Sequence, residues 1–353
     1  GWEVLYKISN DQWQHYLAWV GRMAGLAVEN DTAVRRLRAR GLHLAADLAD
    51  GRTLHARRVV LATGRMGAGG LSVPAGVDKA LWPHLAAHTG EAIDLAALAG
   101  KRVAVMGAGA SAWDGAAAAL EHGAARVDMY CRRAILPQIN KGRGSTNPGF
   151  HEGWPALSDA ERWALLVYLN DVQGPPPHES VHRALAHAGF HLHLATPIRA
   201  AWPENDRVRL DLPGGRTSAD FLICATGYAI DLDRQPELDG LAPLIATWAD
   251  RYIPPPALVR PELGRFPYLG PDFACAERVP GTCPALAHLH LFGHSAFASM
   301  GAIASDIPGV STAAERLSSR LASSLFAEDL PAMRTALEAF DEPELESTPF
   351  FVR

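Results

Sequence analysis

A strand, a glycine-patterned turn and a helix in immediate succession fix the topology at the middle of this chain. Val103-Ala104-Val105-Met106 is a short apolar run of the kind that forms a buried parallel strand. Gly107-Ala108-Gly109-Ala110-Ser111-Ala112 follows at once and keeps the G-x-G-x-x-G/A spacing. In that spacing Gly107 serves the tight turn, Gly109 lets a pyrophosphate approach the backbone, and Ala112 lets the helix pack close to the strand. The free N–H groups at the helix start then face the phosphates. Ala112, Gly115, Ala116, Ala119 and Leu120 give that helix an apolar stripe, Gly123 is its stop, and Val127 to Cys131 make the next strand. An NAD site usually places an acid near the end of that second strand. Arg132 and Arg133 stand there instead, and arginine suits a 2′-phosphate. The unit therefore predicts a Rossmann-type NADP site. The competing reading is a glycine-rich strand–helix turn with two solvated arginines.

Two matching strand ends bracket this unit. Val59-Val60-Leu61 runs into Ala62-Thr63-Gly64, and Phe221-Leu222-Ile223-Cys224 runs into Ala225-Thr226-Gly227. In each, the glycine lets the backbone turn sharply beside a ligand. With these motifs the chain resembles the two-dinucleotide-fold flavoproteins, and among them the flavin-containing monooxygenase-like group, over nearly its whole length. The resemblance implies an α/β fold in which a Rossmann-type NADP-binding domain is inserted into an FAD-binding domain, with the two Ala-Thr-Gly strands at the crossings. The division it implies is residues 1–95 and 223–353 for the FAD side and 96–222 for the NADP insert. Ala62, Thr63, Gly64, Thr226 and Gly227 would then lie against cofactor.

The same group carries an F-x-G-x-x-x-H segment ahead of its NADPH motif. The counterpart here is Trp82-Pro83-His84-Leu85-Ala86-Ala87-His88, with His84 in place of the glycine. By resemblance His88 sits at the domain junction and positions cofactor or couples domain movement. The alternative is a loop histidine bonded to backbone. Flavoproteins of this group open with a strand–GxGxxG–helix that holds the ADP half of FAD, and nothing before residue 101 has that pattern. The FAD domain is therefore expected to be incomplete, with a missing N-terminal fragment as a candidate partner. Trp13, Tyr16, Leu17, Trp19, Val20, Met23 and Leu26 read as a helix covering that domain, after a loop that begins at residue 1.

The rest of the chain adds supporting signals. Residues 31–37, 41–48 and 52–61 read as a small antiparallel sheet ending in the first Ala-Thr-Gly strand, with Asp50-Gly51 as a hairpin turn. Residues 65–99 read as a crossover, and 134–156 as a long loop whose Lys141 and Arg143 could reach NADP phosphates or simply be solvated. Helices are expected at about 157–170 and 178–188. Residues 231–287 are proline-rich, and their Tyr252, Phe266, Tyr268 and Phe273 could line a channel or pack a core. Ser305 or Asp306 is expected to cap the last helix, which runs through about Leu325, with Pro308 in its first turn. In the resembling flavoproteins that helix start points at the flavin, so Asp306, Ile307 and the backbone N–H groups after them would stabilise charge on the reduced ring.

Composition narrows the class. A net charge of −5 gives no electrostatic case for nucleic acid or an anionic membrane. No apolar run is long enough to span a bilayer and no signal peptide is visible, which points to a cytoplasmic protein. None of the four cysteines forms C-x-x-C, which argues against a redox dithiol. His191 and His193 share a strand face, but no third ligand has metal spacing, so no metal is expected. The function that follows from the resemblance is an NADPH-dependent flavin monooxygenase-like oxidoreductase. Hydride would pass from NADPH to FAD, and a small organic substrate would then be oxygenated. The rivals are a flavin-dependent reductase or dehydrogenase without oxygen insertion, and a non-catalytic NADP-binding protein. An oligomer is compatible with all three.

Overall fold

In a computed structural model the described residues are 8–351; the first residues of the loop expected before the first helix lie outside them. The central element is a five-stranded, all-parallel sheet. It is built from β5 (Ala86–His88), β6 (Arg102–Met106), β7 (Arg126–Tyr130), β8 (Phe190–His193) and β12 (Phe221–Cys224), in the order β5-β12-β6-β7-β8. Its inner strands are buried on both faces, with Val103, Val105, Val127, Met129, Leu222 and Ile223 at 1 % exposure or less, as a parallel sheet between covering layers requires. The helix Ala110–Glu121 closes one face, burying Ala112, Trp113, Ala116, Ala117, Ala119 and Leu120. Small side chains dominate that list, so the helix can lie close to the sheet. The helix His178–Leu185 packs beside it, tied by Ser180 Oγ–H donating to Asp114 (2.6 Å) and by a two-pronged Arg183–Glu121 pair (2.8 and 2.6 Å).

A three-stranded antiparallel sheet, β9 (Ala200–Glu204), β10 (Arg207–Leu212) and β11 (Gly215–Ala219), covers the opposite face through Ala201, Val208 and Leu210. A second antiparallel trio, β1 (Val34–Arg40), β2 (His43–Leu48) and β3 (Thr53–Ala56), fits the hairpin signals. The first Ala-Thr-Gly strand, β4 (Val59–Leu61), does not end that sheet as expected. It pairs in parallel with β13 (Leu289–Leu291) across more than two hundred residues of chain. The residues between β3 and β4 turn the backbone out of the antiparallel register, which periodicity alone does not reveal. β5 was hidden for a related reason: Ala-Ala-His has no alternation, and it becomes a strand by lying beside Leu222–Cys224.

The proline-rich stretch forms 3₁₀ turns and short helices around two cores. Phe273 is fully buried, Phe266 is 5 % exposed, and Tyr252 and Tyr268 are packed against the same core, so these aromatics fill interior space rather than line a channel. Residues 134–156 contain short helices at Lys141–Gly144 and Pro148–Gly153, each started by an asparagine side chain. The last helix, Val310–Glu338, is longer than expected and continues through Pro331. The helix Asn10–Met23 has a Ser9–Gln12 capping box and buries none of its residues among those described; Tyr16, Leu17 and Trp19 are each half exposed. It does not cover a neighbouring domain in the way its apolar face predicts.

Candidate cofactor and active site

Strand order reverses at β6, with β7 on one side and β12 on the other, so a crevice opens beyond the carboxyl ends of β6 and β12. Ligands of open parallel sheets bind at such a point. Gly107 occupies it with φ +116°, and a Cβ there would stand 2.5 Å from the Ala225 carbonyl oxygen. No other residue fits both the conformation and the approach. Gly109 is exposed, and a Cβ would meet nothing within 4 Å, so the space over its backbone is open. No side chain caps the helix that begins at Ala110. The first N–H groups, including those of exposed Ala110 and Ser111, therefore remain available to an anion. Ala108 is half-buried and Ala112 fully buried, as close packing demands.

Arg132 and Arg133 diverge. Arg132 is exposed and makes no hydrogen bond or ion pair among the described residues. Arg133 is half-buried, and its guanidinium donates to the Asp171 carbonyl oxygen at 2.8 Å. Lys141 and Arg143 are exposed on the short helix nearby. His193, which shares a strand face with His191, lies 2.7 Å from the Asp128 carboxylate and stacks on Tyr130. Among the described residues no group of three or more His, Cys, Asp or Glu has metal-binding geometry.

His88 ends β5 and is 1 % exposed. Its Nδ1 accepts the Gly90 N–H at 3.0 Å, so the proton of the neutral ring sits on Nε2, which is buried and has no hydrogen-bond partner among the described residues. Burial holds the imidazole below its ordinary pKa, against the Glu91 charge and the Gly227 carbonyl, which favour the proton. Sequence reading missed Glu91. Its carboxylate accepts both the His88 N–H (2.6 Å) and the Trp82 indole N–H (3.0 Å), and so ties the two spaced residues of the motif together.

The second crossing is joined to the first loop along its length. Thr226 Oγ–H donates to the Ser72 carbonyl, the Ser72 N–H donates to Gly227 O (3.0 Å), and Asp231 N–H donates to Ala68 O (2.8 Å). Gly227 has φ +79°. Gly69 allows the approach: a Cβ there would lie 2.3 Å from the Asp231 nitrogen. Arg234 and Gln235 reach back to Leu71 O and Met66 O, both at 3.1 Å, forming one wall of a cleft whose other wall is Thr63, Met66 and Gly70.

On the flavin side, Ala62, Thr63 and Gly64 are exposed at the end of β4, and Gly64 has φ +66°. Gly293, just after β13, has φ +153°, and a Cβ there would be in ordinary contact with the Gly64 backbone at 3.9 Å. His294 follows. Its Nδ1 is buried and unpartnered, and burial, reinforced by Arg65, pushes its pKa down to about 4. No sequence pattern marked His294; its position directly after the last strand was the one available signal. Asp306 does not cap the last helix. Ile307–Gly309 forms a 3₁₀ turn first, the Asp306 side chain makes no cap, and Ile307 is exposed. The expected cap fails because Pro308 and Gly309 delay the α-helix to Val310.

The residues present fit the two cofactors unequally. The Gly107–Ala112 turn has the open backbone and uncapped helix start that a phosphate would need. Near Gly64 and Gly293 the described residues hold no second glycine-rich turn at a helix start behind a parallel strand.

Residues 5–147 match the family model for pyridine nucleotide-disulphide oxidoreductases. Structural likeness extends over the chain: an ornithine N-hydroxylase from Kutzneria sp. 744 has a TM-score of 0.67 at 18% identity, covering 90% of this chain and 77% of that one. An L-lysine 6-monooxygenase from Pseudomonas syringae has a TM-score of 0.65 at 20% identity, covering 90% and 76%. These likenesses show the fold. An FAD-dependent urate hydroxylase from Xanthomonas campestris pv. campestris is 40% identical over 347 residues, 98% of this chain and 73% of the relative. The chain accordingly belongs to the flavin monooxygenase-like family of FAD- and NADP-dependent oxidoreductases.

Proposed function

We propose that the chain serves NADPH-dependent hydroxylation of urate or a closely similar nitrogen heterocycle. The observation that carries this reading is the 40% identity to an FAD-dependent urate hydroxylase across 98% of the chain. Residues 96–222 are read as the NADP unit and residues 1–95 and 223–353 as the FAD side, with β5 pairing across the first boundary. In this reading Gly107 to Ala112 hold the pyrophosphate and Arg132 holds the 2′-phosphate, with Arg133 bracing the loop. Ala62, Thr63, Gly64, Thr226 and Gly227 lie against the flavin, and Asp306 and Ile307 close its far end. FAD held by these residues would supply the hydride-accepting and dioxygen-activating chemistry, and the chain would bind, orient and exclude water.

His88 ends β5 beside Gly227 with its Nε2 buried, and is read as positioning cofactor at the crossing. The cleft between Thr63 and Arg234 places a guanidinium beside the first crossing, which suits an anionic heterocycle. Among the described residues the outer edge of β4 pairs with no strand, which supports completion of the FAD side by a further strand, in the same or a companion polypeptide, and an oligomer is compatible with it. The test is NADPH oxidation and oxygen uptake by the FAD-loaded protein with and without urate, with the product identified by mass spectrometry. Urate-dependent oxygen uptake with an oxygenated product supports the reading. NADPH oxidation indifferent to urate overturns the substrate assignment.

A further inference from the structure

The helix His178–Leu185 carries two histidines one turn apart, His178 and His182, both exposed. Their Nε2 atoms are 3.0 Å apart, with ring centroids at 4.3 Å and ring planes 67° apart. Residues four apart on a helix face one another, and here the same nitrogen of each ring meets the other at hydrogen-bond distance, so an ion that displaced the shared proton would find both nitrogens together. We propose that His178 and His182 form a bidentate site for a divalent transition metal, copper(II) by preference.

The bite distance argues for the metal. With metal–nitrogen bonds of about 2.05 Å, nitrogens 3.0 Å apart subtend about 94° at the metal. A tetrahedral ion would want them about 3.3 Å apart. An angle near a right angle is that of tetragonal copper(II) or nickel(II), and copper(II) stands highest in the general affinity order for nitrogen ligands. The remaining positions would be filled by water. The sequence His178-Glu179-Ser180-Val181-His182 matches H-E-x-x-H, but the absence of a three-ligand cluster among the described residues separates this pair from a closed zinc centre.

The scaffold is already rigid. Ser180 is bonded to Asp114, Arg183 to Glu121, and Ala184 is fully buried against the helix Ala110–Glu121. The two rings are therefore presented by a backbone that need not reorganise on binding. The pair lies on the outer side of the nucleotide unit and takes no part in the cofactor contacts described above.

The experiment is titration of the full chain with copper(II) chloride, followed by calorimetry and electron paramagnetic resonance. The expected result is one tight equivalent with a tetragonal spectrum and coupling to two nitrogens. His178→Ala and His182→Ala should each weaken that equivalent by roughly tenfold or more, and the double variant should lose it. Circular dichroism and NADPH affinity, unchanged in the variants, show that the fold is kept. A double variant that binds copper with the same stoichiometry and affinity as the parent overturns the assignment, as does a parent with no tight equivalent.

Discussion

Arg132 and Arg133 are adjacent in sequence and unequal in structure. The Arg132 guanidinium has no partner among the described residues, whereas Arg133 spends one arm on the Asp171 carbonyl. Arg132→Ala is therefore expected to weaken NADPH binding by about 1.5–3 kcal/mol, roughly tenfold or more, and to leave NADH binding nearly unchanged. Arg133→Ala should act more on stability than on the choice of nucleotide. Titration of parent and variants with both nucleotides decides the matter, and equal affinity of the parent for NADH and NADPH would remove the assignment. His294 makes a second prediction at this scale. Its native pKa is about 4 against an ordinary 6.5. Between those values the unfolded chain binds a proton that the native state refuses, so stability falls as pH drops from about 6.5 to about 4 and levels off below. The full loss from this one group is at most roughly 3 kcal/mol. His88 and His290, both buried and shifted in the same direction, add to it. Urea unfolding near neutral pH and near pH 4.5 should show the loss, and His294→Gln should make it smaller; an unchanged pH dependence in the variant would mean that His294 is not the group held neutral.

At the scale of elements, the short helix Phe297–Met300 joins the proline-rich stretch to the rest. Ser299 is fully buried in it. Its Oγ accepts the Trp248 indole N–H (3.1 Å) and the Leu269 N–H (3.0 Å), and its carbonyl accepts from Arg162 at 3.1 Å. Arg162 in turn lies over the Trp248 ring at 5.1 Å. Ser299→Ala would orphan two buried donors, and an orphaned buried group costs about 1–3 kcal/mol, so a loss of roughly 2–6 kcal/mol in unfolding free energy is expected. Urea titration measures it; a loss under about 1 kcal/mol would mean that neighbouring groups take over the two donors. None of this hub was legible beforehand. A lone serine in an aperiodic segment gives no pattern, and its partners lie thirty to fifty residues away. The nucleotide unit was legible for the opposite reason. Strand, turn and helix are contiguous there, and Gly107 takes the positive φ that a tight turn after the strand demands. The strand β5 and the pairing of β4 with β13 escaped because three-residue strands take their identity from a distant partner. The cap at Asp306 failed because local propensity was read without the turn made by Ile307–Gly309.

Across the whole molecule, the two nucleotide-handling halves are unequally built among the described residues. The sheet that bears Gly107 has five strands, with buried inner members and a helix packed on one face. The sheet that bears Gly64 has two, and the outer edge of β4 pairs with nothing described, leaving Val60 37 % exposed. A dinucleotide's pyrophosphate rests on backbone donors at a helix start, and the one such start behind a parallel strand here is at Ala110. The flavin side offers the backbone at Gly64 and Gly293 and the turn after Asp306, which can meet a ring but present no preorganised donors to a doubly charged linker. NADPH should therefore bind this chain more firmly than FAD does. Purified as these 353 residues, the protein is expected to be colourless, and to take up FAD weakly on titration while still binding NADPH. A visible spectrum of the isolated chain and a flavin fluorescence titration check this. A stoichiometric flavin band from the chain alone would mean that the adenosine half of FAD is held by contacts other than a glycine-rich turn, and would overturn the unequal division argued from the two sheets.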